Sequence, residues 1–126
     1  MIEVLPESSD DVIGFAFDGR MTRDEYNNVL LPPLDRAVRE HGNARILFQI
    51  VNFRGWMPHG AWEDLKNWPH ITRVDRIAVV GGERWQEWMN RLPGLFVGFI
   101  RTDVRYFPET RLDDAWTWLR REAGGR

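Results

Sequence analysis

Cysteine is absent from the 126 residues, which excludes disulfides and thiolate metal sites and fits a reducing compartment. Serine is scarce: Ser8 and Ser9 are the only two. Neither sign of charge dominates, since 17 basic and 19 acidic residues leave a formal net charge of -2. That balance offers no electrostatic case for nucleic acid, which prefers a basic face. No apolar run approaches the roughly 20 residues that a membrane-spanning helix needs. Met1 leads straight into Ile2-Glu3-Val4-Leu5, which reads as a strand rather than a targeting leader. These absences predict a soluble, cytoplasmic chain. A chain of this length buries about two thirds of its unfolded surface, so one domain over residues 1–122 is expected, with a frayed tail at 123–126.

Strand and helix patterns alternate along the chain. Ile2–Leu5 and Val12–Phe17 read as two short strands, and their short connection predicts an antiparallel pair. Thr22 with Glu25 forms a capping-box signature. Apolar residues then recur at helical spacing through Val38, with a kink or break expected at Pro32-Pro33 and a left-handed stop at Gly42. Arg45–Val51 is a nearly continuous apolar run, as in a strand buried on both faces. Helix 58–68, strand 76–80, helix 83–92 and strand 103–107 follow. A final helix is expected to be capped by Thr110, with an inner stripe of Leu112, Ala115, Trp116 and Leu119. The predicted order is β-β-α-β-α-β-α-β-α, an α/β fold with a mainly parallel sheet and one antiparallel N-terminal strand.

In such a sheet, ligands bind beyond the carboxyl ends of the parallel strands. Asp18-Gly19-Arg20, Val51–Trp56, Gly81-Gly82 and Phe107-Pro108 are expected to meet there. Helix N-termini at that edge can hold an anion, but Gly81-Gly82 matches neither a P-loop nor a dinucleotide fingerprint. Catalytic patterns are thin. His41 and His70 suit helix ends, where a cation is favoured. His59 and Glu63 share a helix face at i, i+4. With Asp64 they could serve an acid/base or metal role, or simply form a surface ion pair. Ser8 and Ser9 lie in the first turn, away from the predicted edge, so a Ser-His-Asp triad is not expected. The adjacent pairs Glu63-Asp64 and Asp113-Asp114 point to different sides of their helices.

Seven Trp and seven Phe are the compositional excess, and large aromatics dominate both cores and binding surfaces. Trp62, Leu65 and Trp68 fall on helix 58–68. Trp85, Trp88 and Met89 fall on helix 83–92, and Phe96 and Phe99 follow the Pro93-Gly94 break. A helix covering a sheet buries one stripe. These eight residues are therefore either core or the wall of an apolar groove, patch or interface, with Pro93-Gly94 as a hinge.

Several blocks in order carry a family likeness. They are Ile2-Glu3-Val4-Leu5, Gly19-Arg20-Met21-Thr22, Phe53-Arg54-Gly55-Trp56 and Gly60-Ala61-Trp62-Glu63-Asp64-Leu65-Lys66. They continue with Arg76-Ile77-Ala78-Val79-Val80-Gly81, Val104-Arg105-Tyr106-Phe107-Pro108 and Ala115-Trp116-Thr117-Trp118-Leu119. The chain resembles the SpoIIAA-like family of the STAS superfamily, related in fold to CRAL-TRIO lipid carriers. The resemblance implies a β-α superhelix and no enzyme activity. Anti-sigma factor antagonists of the superfamily switch partners through a phosphorylatable Ser at the start of the second helix. The matching stretch here, Asn52–Ala61, has no Ser or Thr.

The sequence thus predicts a non-enzymatic binding or regulatory module with no cofactor, no metal and no nucleic acid. Its leading form binds an apolar small molecule or membrane surface between helices 58–68 and 83–92. A second form is a protein-partner or homodimer module without the phosphorylatable serine. A third is an enzyme centred on His59, Glu63 and Asp64.

Overall fold

A computed structural model describes residues 2–18, 22–51, 65, 67–84, 87 and 102–121. Five strands form one sheet in sequential order: β1 (Ile2–Val4), β2 (Val12–Asp18), β3 (Ala44–Val51), β4 (Val74–Gly81) and β5 (Asp103–Pro108). β1 runs antiparallel to β2, and the remaining neighbours are parallel. This is the mixed sheet that the sequence pattern predicts. The expected tail lies outside the described residues.

Between β2 and β3 the chain is helical from Arg23 to His41 in three pieces: α1 (Arg23–Glu25), a π-helical turn (Tyr26–Leu30) and α2 (Leu31–His41). Thr22 caps α1 in a complete capping box with Glu25. The break expected at Pro32-Pro33 takes the form of the π turn, in which the Leu31 amide donates to Tyr26 O. Proline cannot donate a helical bond, and its ring crowds the carbonyl four residues back. A widened turn placed just before the two prolines relieves both demands. Gly42 ends α2 at φ 82°, with its amide donating to Val38 O at 2.8 Å. Only a residue without Cβ takes that backbone geometry cheaply.

α3 (Leu112–Arg120) follows a 3-10 turn at Glu109–Arg111. The expected cap at Thr110 is corrected: Thr110 lies inside the 3-10 turn, and Arg111 takes the cap position with no side-chain bond to the helix. Pro108 ends β5 in extended backbone, and the chain turns immediately, which starts the helix later than the Thr-x-x-Asp spacing suggests. The inner stripe also needs amending. Ala115, Trp116, Trp118 and Leu119 are buried, while Leu112 is half-buried.

The parallel register sets up rows of side chains. Ile13, Ile46, Ile77 and Val104 lie side by side, as do Phe15, Phe48, Val79 and Tyr106. This is the crossover face. It forms the larger core with Leu30, Leu34 and Ala37 of the first helical region and with Leu65 and Trp68. Phe48 stacks on Phe15 and meets Phe17 edge-on. The opposite face carries the row Gly14, Leu47, Ala78 and Arg105, and α3 packs over it. Right-handed crossovers between sequential parallel strands send the connecting helices to one side, which leaves the other side to α3.

Candidate functional site

The carboxyl edge of the sheet is described at Asp18, Val51, Gly81, Gly82, Phe107 and Pro108. β4 and β5 meet there through Tyr106, whose hydroxyl donates to Gly81 O at 2.7 Å and lies 3.4 Å from Gly82 O. Burial raises the Tyr106 phenol above its ordinary value, and the Glu109 and Glu83 carboxylates push it the same way. The carbonyls of the Gly81-Gly82 turn are thus tied down by a phenol in acidic company. That environment disfavours the anion-binding role considered for this turn, because two nearby carboxylates repel a phosphate.

Of the eight aromatic and apolar candidates, Leu65 and Trp68 are described, and both are buried in the larger core. The Trp68 indole N–H donates to Asp35 Oδ1 at 2.9 Å, which joins this segment to α2. The Trp68 amide donates to Leu65 O, and its own carbonyl accepts from Ile71 N–H. Trp62, Trp85, Trp88, Met89, Phe96 and Phe99 lie outside the described residues, as do His59, Glu63, Asp64 and the Pro93-Gly94 break. His70, expected to serve a helix end, sets its ring edge-on to Trp68 at 5.6 Å. Among the described residues no group of His, Asp and Glu could hold a metal ion, and no helix is long and apolar enough to cross a membrane.

Both serines sit at the amino edge. Ser8 Oγ accepts from Gly14 N–H at 2.9 Å and donates to Leu5 O at 2.7 Å. It therefore closes the β1–β2 turn and is already committed. Asn43 spans the same edge, donating to Asp11 at 2.9 Å and Asp75 at 2.8 Å.

Three further arrangements escape the sequence patterns. Gly14 sits under the Trp116 indole: a Cβ there would lie 2.8 Å from Trp116 Cζ2 and closer still to Cη2. An isolated glycine within a strand pattern is the signal for such an approach. Arg45 and Arg76, neighbours across β3 and β4, both donate to carbonyls at the C-terminus of α3. Arg45 reaches Leu119 O at 2.6 Å and also Arg121 O, and Arg76 reaches Trp118 O at 2.6 Å. Burial and the adjacent Arg45 cation lower the Arg76 pKa. Guanidinium groups in a helix's last turn satisfy orphan carbonyls and oppose the negative helix end. Nothing in local sequence links residues so far apart in the chain. Finally, Glu25 does more than complete its capping box, because its Oε2 also accepts from Ile2 N–H at 2.8 Å and ties β1 to the first helix. Burial raises the Glu25 pKa, but the amide bonds from Thr22 and Ile2 outweigh it and the net shift is downward.

A five-stranded sheet with one antiparallel edge, parallel neighbours in sequential order and a helical crossover from β2 to β3 defines a STAS-type α/β domain. The chain belongs to the SpoIIAA-like family, whose model matches residues 12–120. Membership places it among STAS-type regulatory or interaction modules. No curated protein matches the sequence.

Proposed function

We propose that this chain is a non-enzymatic protein-interaction module that works without a serine switch. The disposition of its serines carries this reading. The only two lie at positions 8 and 9, and Ser8 Oγ is held inside the β1–β2 turn. The segment that resembles the switch region of anti-sigma factor antagonists, residues 52–61, has neither Ser nor Thr. Binding is then governed by the partner's affinity and abundance rather than by phosphorylation of this chain. Trp62, Trp85, Trp88, Met89, Phe96 and Phe99 supply the contact surface in this reading, since aromatic side chains dominate interface energetics. Leu65 and Trp68, already packed in the core, take no part in that surface. Their burial favours a protein contact over an apolar cavity, because side chains filling the core cannot also line open space.

Affinity purification from the native cell, in parallel with solvent extraction of the isolated protein, tests the reading. The expected result is a stoichiometric protein partner that rebinds as a purified component and is lost on Trp62→Ala or Trp88→Ala. Stoichiometric bound lipid, or a monomer with no partner, overturns it. In the first case the apolar-ligand reading takes its place.

A further inference from the structure

β1 forms one edge of the sheet, and its outer side is open at Val4. The Leu5 amide turns inward and donates to Gly14 O at 2.8 Å. Amides alternate in direction along a strand, so those of Ile2 and Val4 face away from β2. The Ile2 amide is taken by Glu25, but the Val4 amide has no acceptor among the described residues. The Val4 side chain is 41 % exposed, and it is the only large hydrophobic so exposed among the described residues.

A cleft of about 470 Å³ opens beside it, between Val4 and Asp10 on one wall and Pro33 and Glu40 of α2 on the other, with Ile13 and Ala37 beneath. The β1–β2 hairpin beside it is acidic. Residues 2–18 include Glu3, Glu7, Asp10, Asp11 and Asp18 and no Lys, Arg or His. Glu40 adds to these from α2, while Arg36 and His41 are the cations on the rim.

We propose that the outer edge of β1 receives an extended, basic segment of a partner protein as an added strand, with an apolar side chain of that segment entering the cleft beside Val4. Strand addition takes its affinity from main-chain hydrogen bonds and its specificity from pockets for alternate side chains. The acidic hairpin selects for Lys or Arg at the other positions. A second copy of this chain is the wrong occupant, because pairing two β1 edges would bring Glu3 and Glu7 of both copies together. This surface lies at the amino edge of the sheet and uses none of the aromatic residues named above, so it goes beyond the function proposed above.

The test titrates the full chain with a labelled, end-blocked peptide of alternating Lys and Val. Fluorescence anisotropy should saturate, and amide shifts should be confined to β1, its turn and the cleft. N-methylation of alternate peptide amides should weaken binding about tenfold, the effect of losing one or two hydrogen bonds. A peptide of alternating Glu and Val should not saturate. Val4→Pro, which removes the donor, should abolish binding. If that variant does not fold, Val4→Lys at the same exposed position should weaken binding by repulsion. Absence of saturation, equal binding of the N-methylated peptide, or shifts mapping elsewhere overturns the proposal. So does a concentration-dependent dimer formed through β1. Trp88→Ala should leave peptide binding intact while abolishing capture of the native partner, so the two surfaces can fail separately.

Discussion

On the crossover face the strands present Ile, Phe and Val in continuous rows, while on the α3 face the same strands present Gly14, Ala78, Arg45, Arg76 and Arg105. The first face is covered by the helical region from Arg23 to His41 and by Leu65 and Trp68. The second is covered by the nine residues of α3. A helix of that length is about 14 Å long, against a five-stranded sheet about 19 Å across. The α3 face therefore relies on fitted contacts rather than on area. The Trp116 indole fits because Gly14 has no side chain. Trp118 lies beneath Arg76 and Arg105, with guanidinium-to-ring distances of 5.4 and 5.0 Å, and Arg120 covers Trp116 at 4.8 Å. Arginine stems bury apolar length, while their heads hold the carbonyls of α3. A face covered by a long helical region tolerates imperfect contacts. A face with one helix depends on a few.

The largest effect is expected where the crossover face is thickest. Phe48→Ala, at a fully buried position between Phe15 and Phe17, should cost about 3–5 kcal/mol in denaturant melts. Gly14→Ala tests the opposite face by filling space rather than emptying it. It should cost about 1–3 kcal/mol by overpacking against Trp116. Adding Trp116→Leu should recover part of that loss, and a strictly additive double mutant would show that the indole is not the obstacle. The two faces can then be compared through one chemical change. Trp68→Phe removes a hydrogen bond to Asp35 and should cost about 1 kcal/mol more than the change in ring size alone. Trp116→Phe carries no such extra cost, because the Trp116 indole N–H has no hydrogen-bond partner among the described residues. Equal losses would erase the distinction.

The smallest effect is a pH dependence. Tyr106 has a raised pKa, so the folded state holds its proton more tightly than the unfolded chain does. Stability from this group is complete below its ordinary value of 10.0 and falls as pH rises through the folded pKa. Tyr106→Phe should flatten that alkaline limb. Glu25 has the opposite sign: its lowered pKa gives stability above the ordinary 4.5 that is lost as pH falls. Glu25→Gln should flatten the acid limb. Both groups belong to the crossover side of the molecule. The bonds that hold the end of α3 involve neither Tyr106 nor Glu25, so hydrogen exchange at the extremes of pH should rise at β1 or the β4–β5 edge before it rises in α3.

Much of this architecture follows from local chemistry. Alternation of branched and aromatic residues marks the strands, the Thr22 and Glu25 pair marks a helix start, and Gly42 marks its end. Each depends on residues a few positions apart, which is why each is legible along the chain. The same logic misplaced the start of α3, where Thr110 and Asp113 have the right spacing but Pro108 and the 3-10 turn decide where the helix begins. The candidate site was legible only as composition. An aromatic stripe has the same sequence whether it packs in a core or faces a partner, and Leu65 and Trp68 proved to be buried.

The sequence by itself determined the alternation of strands and helices, the single antiparallel edge, the absence of a serine in the switch-like segment and the family likeness. Tertiary structure alone decided that Gly14 is space for Trp116, that Arg45 and Arg76 close the end of α3, that Glu25 holds β1, and that Val4 stands exposed beside a cleft. Periodicity and capping are written in neighbouring residues, whereas these contacts join positions 23 to 102 residues apart in the chain or depend on what the fold leaves uncovered.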